Sequence, residues 1–221
     1  MLTCYSTQKL LAKLSLEENG LLPEGNKLLD SMDLILEHNP LSHWHGNLFT
    51  IGRRQCVLMV HSETRFPLLL VGLTKKDFAT FDYLFSDALM NTLLKVGADE
   101  EQMQAAEELL APLSFVAATN DKINGSSVKG TLNQMKGDFE HMLAYENIDV
   151  MNISTYRTAA WLADRPCSVK CKDEGAAKSK KDVIWPVKSM LALLNSVDVD
   201  YDIDDEDDEL DWSSSQVIHR L

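Results

Sequence analysis

The chain is short of cysteine, proline and glycine, with 4, 6 and 10 of them in 221 residues. So few cysteines exclude a disulfide-built scaffold, and so little proline and glycine exclude a collagen-like or low-complexity chain. Long apolar runs are missing too. The longest lies around Pro67–Gly72, far short of the roughly 20 residues that a membrane span needs. The start, Met1-Leu2-Thr3-Cys4-Tyr5, has neither the basic nor the apolar region of a secretory leader. Basic side chains are scarce: 21 against 34 acidic ones, a net charge of −13. That balance argues against a general nucleic-acid binder. What remains is 45 % apolar and 25 % charged, ordinary usage for one domain with a sizeable core. The expectation is a soluble, cytoplasmic protein that meets no membrane.

The charge is unevenly spread. Residues 1–195 hold 24 acidic and 20 basic side chains, a net of −4, while residues 196–221 hold 10 acidic ones and one arginine, a net of −9. The densest part is Asp204, Asp205, Glu206, Asp207, Asp208 and Glu209. Like charges at that density repel and bury nothing, so 196–221 reads as a disordered tail. Apolar residues, Trp212 among them, interrupt it, as in segments that engage partners. The domain is therefore expected to span 1–195. Within it, 165–181 reads as a Lys-rich loop.

Hydrophobic periodicity predicts an α+β fold. Met1–Tyr5 reads as a strand. Ser6 is placed to cap a helix carrying Leu10, Leu11 and Leu14, and Asn26 a second one that stops before Pro40. Aromatic and β-branched runs then give three strands at Trp44–Ile51, Gln55–His61 and Phe66–Leu73. Their short connections predict an antiparallel meander over about 44–73, to which the N-terminal strand is added. Helices follow. Thr74 and Asp77 form a capping box for a helix from Phe78 to Val96 that Gly97 ends. Asp99 with Gln102 opens another, and Ser114–Thr119 reads as a further strand. Ser126 or Ser127 caps a long helix whose inward stripe is Val128, Leu132, Met135, Phe139, Met142 and Leu143. A helix over Ser154–Ala163 and a last one at 185–195, with Pro186 in its first turn, complete the domain. Trp44, Phe66 and Trp185 read as core.

The run Trp44-His45-Gly46-Asn47, continued by Arg53-Arg54-Gln55-Cys56 and then Thr64-Arg65-Phe66-Pro67, is distinctive. With Thr7-Gln8-Lys9-Leu10-Leu11 it resembles an uncharacterised bacterial domain-of-unknown-function family. Members share a Trp-x-x-Asn strand followed by an Arg-Arg-x-Cys hairpin. The resemblance covers about residues 1–170 and leaves the acidic tail outside. It implies one compact α+β domain and no particular chemistry.

Candidate chemistry is sparse. Arg53, Arg54 and Arg65 fall at two successive hairpin turns, with Asn47 on the strand before them. Clustered guanidiniums grip phosphate or carboxylate bidentately; the plain alternative is solvated turn residues. His43, His45 and His61 would suit zinc or iron if they converged; ordinary histidines at strand ends are the plain alternative. Cys167 and Cys171 are a lone C-x3-C pair, short of two ligands for zinc. Asp138, Glu140 and His141 share a helix, where Asp138 and His141 lie three apart; a solvated face explains them as well. No metal site and no cofactor are expected. No G-x-S-x-G, P-loop or H-E-x-x-H motif occurs, so the common hydrolase and nucleotide signatures are absent.

The leading expectation is a non-enzymatic interaction or regulatory protein of a bacterium or mobile element. Its acidic tail would engage a partner protein's basic surface or its own Lys-rich loop at 165–181. The alternative is a phosphate-ligand- or nucleic-acid-binding protein, or an enzyme, using the Arg53, Arg54 and Arg65 hairpins. Nucleic acid would then meet the domain and not the tail. The oligomeric state is open.

Overall fold

A computed structural model of the chain describes residues 1–25, 39–122, 125–170 and 181–197. The second helix expected from Asn26, the second cysteine of the C-x3-C pair and the acidic tail with Trp212 lie outside the described residues. So does most of the Lys-rich loop.

The sheet has five strands in the order β4-β3-β2-β1-β5. These are β1 (Leu2–Ser6), β2 (Trp44–Ile51), β3 (Arg54–His61), β4 (Pro67–Leu73) and β5 (Leu113–Ala117). The meander β2-β3-β4 is antiparallel, with Trp44 opposite His61 and Val57 opposite Leu70. The expectation of a wholly antiparallel sheet is corrected at β1. That strand lies between β2 and β5 and pairs parallel with both, Cys4 facing Trp44 on one side and Phe115 on the other. Long connections permit this, because parallel strands need a crossover of a dozen or more residues.

Both faces of the sheet are covered. Alternation along β3 sends Val57 and Met59 to one side and Cys56, Leu58 and Val60 to the other. Burial on both faces is why β3 and β4 read as continuous apolar runs. The larger core holds Leu2, Trp44, Phe66, Phe81 and Phe85, together with Met190 and Leu194 from the last helix. Trp44 packs edge-on against Phe85 with ring centroids 5.1 Å apart. The smaller core packs Phe49 and Leu58 against Val128, Phe139 and Leu162.

The helices are α1 (Gln8–Leu11), α2 (Lys75–Ala79), α3 (Phe81–Val96), α4 (Glu100–Glu108), α5 (Gly125–Glu146), α6 (Thr155–Ala163) and α7 (Pro186–Leu194). Thr7, not Ser6, precedes α1, because Ser6 is the last residue of β1. The Asp77 carboxylate accepts from the Thr74 backbone N–H at 2.6 Å and hydroxyl at 2.7 Å. The helix expected from Phe78 to Val96 breaks at Thr80, whose backbone leaves the helical region. Restarting at Phe81 puts Asp82 in a first turn, where its carboxylate accepts the Leu113 N–H at 3.1 Å. Gly97 ends α3 at φ 83°. Ser126 and Ser127 lie inside the first turn of α5 rather than at its cap.

Two expectations near the C-terminus are corrected. The supposed loop at 165–181 begins and ends in strands, β6 (Cys167–Lys170) pairing antiparallel with β7 (Lys181–Ile184). Trp185 is 46 % exposed rather than core; the Lys188 ammonium lies over its ring at 5.4 Å.

Glycine is needed at Gly20. Its φ is +80°, and a Cβ there would meet the Phe115 carbonyl oxygen at 2.8 Å. The Gly20 carbonyl in turn accepts the Phe115 N–H at 2.8 Å, which ties this loop to β5.

Candidate functional site

Side chains alternate along a strand, so residues two apart share a face. His45 and Asn47 of β2 do so, and Tyr5 and Thr7 at the end of β1 do the same. All four line one cleft of about 330 Å³. Its opposite wall is the first part of α5, through Gly125, Ser126, Lys129 and Asn133. These lie at helical spacing on one side of α5. Thr119 and Asp121, just after β5, close the end. The cleft therefore sits where the parallel pair β1 and β5 stops and a long helix begins. Ligands of open sheets with parallel strands are commonly held at such a place.

One polar pair anchors the cleft. His45 is 3 % exposed and its Nε2–H donates to Asp121 Oδ2 at 2.9 Å. An ionised carboxylate only accepts, which assigns the proton to Nε2. Burial pulls the His45 pKa below the ordinary histidine value, and the bond to Asp121 only partly opposes it. The pair is thus a hydrogen bond from a neutral imidazole more than an ion pair. Nδ1 makes no hydrogen bond among the described residues. The Tyr5 ring stacks on the imidazole at 4.9 Å and 28°. Burial, with Asp121 adding to it, raises the Tyr5 pKa.

The cleft does not end at Asn47. A trough of about 890 Å³ shares Thr7, Asn47 and Asn133 with it and continues between α1 and α5. Lys9 and Lys13 come from α1 and its C-terminal side, Lys136 from α5, and Gln8 adds an amide. Lys136 bonds Glu140 at 2.9 Å and lies 5.5 Å from the Phe49 ring centroid. Among the described residues that line the cleft and the trough, Asp121 is the one carboxylate, against Lys9, Lys13, Lys129 and Lys136. With Lys136 paired to Glu140, Lys9, Lys13 and Lys129 still outnumber Asp121, a local excess of positive charge in a chain of net charge −13.

The arginines do not converge. Arg53 and Arg54 sit at one end of β3 and Arg65 beyond its other end. An eight-residue strand at about 3.4 Å per residue separates the two turns by roughly 25 Å. Arg53 and Arg54 are exposed, while Arg65 is only 4 % exposed. Its guanidinium donates through Nη1 to the Ser62 carbonyl and through Nη2 to Ser127 Oγ at 3.1 Å. The cluster of three expected from the hairpins is corrected to two solvated turn residues and one internal tie between a turn and α5. Asn47 is the predicted site residue that does line the cleft.

The histidines do not form a site of three: His43 and His45 both stack on Tyr5, with ring centroids 6.0 and 4.9 Å away, and His61 is engaged elsewhere. His61 is fully buried; its Nε2–H donates to the Ser42 carbonyl and its Nδ1 accepts from the Thr64 hydroxyl, both at 2.9 Å. Burial pushes its pKa down to about 4. With both ring nitrogens engaged it has no lone pair to offer a metal. Among the described residues no group of three His, Cys, Asp or Glu could hold one. Asp138 bonds Arg165 at 2.7 Å and Glu140 bonds Lys136, so the pairing of Asp138 with His141 does not form. Cys4, Cys56 and Cys167 are buried free thiols, and burial raises Cys4 to about 12.

Sequence reasoning missed Tyr5, Lys129, Asn133, Lys136 and Asp121. The polar stripe Ser126, Lys129, Asn133, Lys136 recurs at helical spacing as plainly as the apolar stripe beside it. Asp121 had no such signal, since its role depends on β5 lying next to β1.

A family profile described as a domain of unknown function (DUF6933) matches residues 3–213. The match runs past residue 170 and takes in the acidic segment, which the resemblance read from the sequence had left outside. No curated protein and no solved structure matches the chain. Among the described helices none is long and apolar enough to cross a membrane. With nearly its whole length matched, the chain belongs to the DUF6933 family.

Proposed function

We propose that this DUF6933 member binds a single nucleic-acid strand along the lysine-lined trough and the His45 cleft. The observation that carries the reading is the continuity of the two. Lys9, Lys13, Lys129 and Lys136 run along one groove that also presents the amides of Asn47 and Asn133. Lysines neutralise phosphates, and amides hydrogen-bond unpaired base edges. This keeps the expectation that nucleic acid meets the domain, but moves it from the arginine hairpins to α1, β2 and α5. A cytoplasmic setting in a bacterium or mobile element suits the ligand.

The test is fluorescence anisotropy of the full chain with a labelled single strand across a salt series. Binding whose logarithm falls linearly with the logarithm of salt supports the reading. Binding that survives the double variant Lys129→Glu, Lys136→Glu without loss overturns it.

The charge segregation favours a second reading, in which residues 196–221, with a net of −9, engage a basic protein surface. Such contacts speed association and weaken with salt. Removing 197–212 would abolish them, and partner capture that persists without those residues would exclude this reading.

A further inference from the structure

The strand-binding groove has a proton acceptor built into its closed end. His45 Nε2 is committed to Asp121 at 2.9 Å, and Nδ1 carries the free lone pair. That nitrogen belongs to a residue that lines the cleft. The ring is fixed twice, by Asp121 behind it and by Tyr5 stacked at 4.9 Å. A carboxylate-oriented imidazole whose second nitrogen makes no hydrogen bond is the arrangement of a general base. Lys129 and the first turn of α5 stand across the cleft. Both favour negative charge there, the helix through its dipole.

Taken with the binding reading on which it rests, this inventory selects one chemistry. RNA carries its own nucleophile, the 2′-hydroxyl, beside each phosphate. Cleaving it by transesterification needs a base for that hydroxyl and a cation for the phosphorane. We propose that the protein cleaves single-stranded RNA, with His45 as the general base and Asp121 as its positioning residue.

In this step His45 Nδ1 takes the proton of the 2′-hydroxyl. The 2′-oxygen bonds to the adjacent phosphorus, and the phosphorus–5′-oxygen bond breaks. The leaving 5′-oxygen takes a proton from water at the open side of the groove, and the imidazolium returns its proton to the resulting hydroxide. No co-reactant is consumed. The products are a 2′,3′-cyclic phosphate and a 5′-hydroxyl. Lys129 offsets the charge that builds on the phosphoryl oxygens.

The test uses the full chain with three labelled single strands of one mixed sequence: RNA, 2′-O-methyl RNA and DNA. The expected result is that all three bind, that RNA alone is cut, and that its fragments carry cyclic-phosphate ends. His45→Ala should lose at least about a hundredfold in cleavage rate at strand concentrations that saturate binding. Added imidazole should restore part of that loss. Asp121→Asn should slow cleavage and move the acid limb of the pH–rate profile to lower pH, since the carboxylate no longer stabilises the imidazolium. Should His45→Ala lack a cooperative melt, the Asp121→Asn profile and the uncut 2′-O-methyl strand decide alone. RNA that binds but stays intact overturns the proposal and leaves the binding reading standing. Cleavage equally fast in His45→Ala, or in Asp121→Asn with an unmoved profile, overturns the assignment of the base. If none of the strands binds, both readings fall.

Discussion

His45 of β2 and Asp121, 76 positions later in the chain, meet at 2.9 Å across the end of β1. The strand between them, β1, supplies neither partner. It brings them together by pairing parallel with β2 on one side and β5 on the other. The cleft is thus a product of topology rather than of any one local motif.

His61 should make stability pH-dependent. Its folded pKa is about 4, while an unfolded histidine titrates near 6.5. Between those values the unfolded chain binds more protons, so stability rises with pH up to about 6.5 and is lost as pH falls toward 4. The contribution is on the order of 3 kcal/mol. Urea midpoints of the wild type and His61→Gln across this range measure it. Equal pH slopes in the two proteins would show that another group is responsible.

Charge removal in the trough should reduce both affinity and its salt dependence. Lys9 and Lys13 face the groove beside Gln8. Each phosphate contact on a single strand contributes about 0.7 to the slope of log affinity against log salt. Lys9→Gln with Lys13→Gln should therefore lower the slope by about 1.4. An unchanged slope would place the strand elsewhere.

Arg53 and Arg54 should be dispensable for binding. Gly52 and Arg53 both have positive φ, 53° and 68°, the geometry of a tight type I′ hairpin turn. A non-glycine residue in that region costs about 1 kcal/mol. Arg53→Gly should consequently leave thermal stability equal or slightly higher, with strand affinity unchanged. Weakened binding would return the arginine hairpin to the site.

Arg65 should matter for stability and not by its charge alone. It joins the turn after β3 to the first turn of α5 through Ser62 and Ser127. Arg65→Ala leaves buried acceptors unpaired and should cost about 2–4 kcal/mol. Arg65→Lys cannot make the same fork and should recover only part. Denaturation midpoints of the two variants check this; full recovery by lysine would show that position, not geometry, is what counts.

Much of the fold was legible because burial leaves a period. The meander showed in its short connections, and α5 in the spacing of Val128, Leu132, Met135 and Phe139. Gly97 and the Thr74–Asp77 box marked helix ends through local backbone chemistry. The parallel pairing of β1 was not legible, because strand direction depends on what lies between the strands. Trp185 was misread because an aromatic side chain can also pack beneath a neighbouring lysine. At the site, Asn47 could be reached from β2 alone. Arg65 looked like a solvated turn residue since sequence does not reveal that its turn lies against α5. Asp121 could not be reached at all, as its partner is set by sheet order.

The central place of β1 also bears on how the chain is made. Leu2–Ser6 leaves the ribosome long before one of its neighbours, Leu113–Ala117, is synthesised. At about 5–20 residues per second the delay is on the order of ten seconds. Throughout that interval one edge of β1 has no strand to pair with, and the sheet closes only after a contact of long sequence separation. Slow closure of this kind exposes a strand edge to other nascent chains. Circular permutants that place residues 113–117 ahead of β1 would shorten the wait, and their yield of folded protein at high expression should rise.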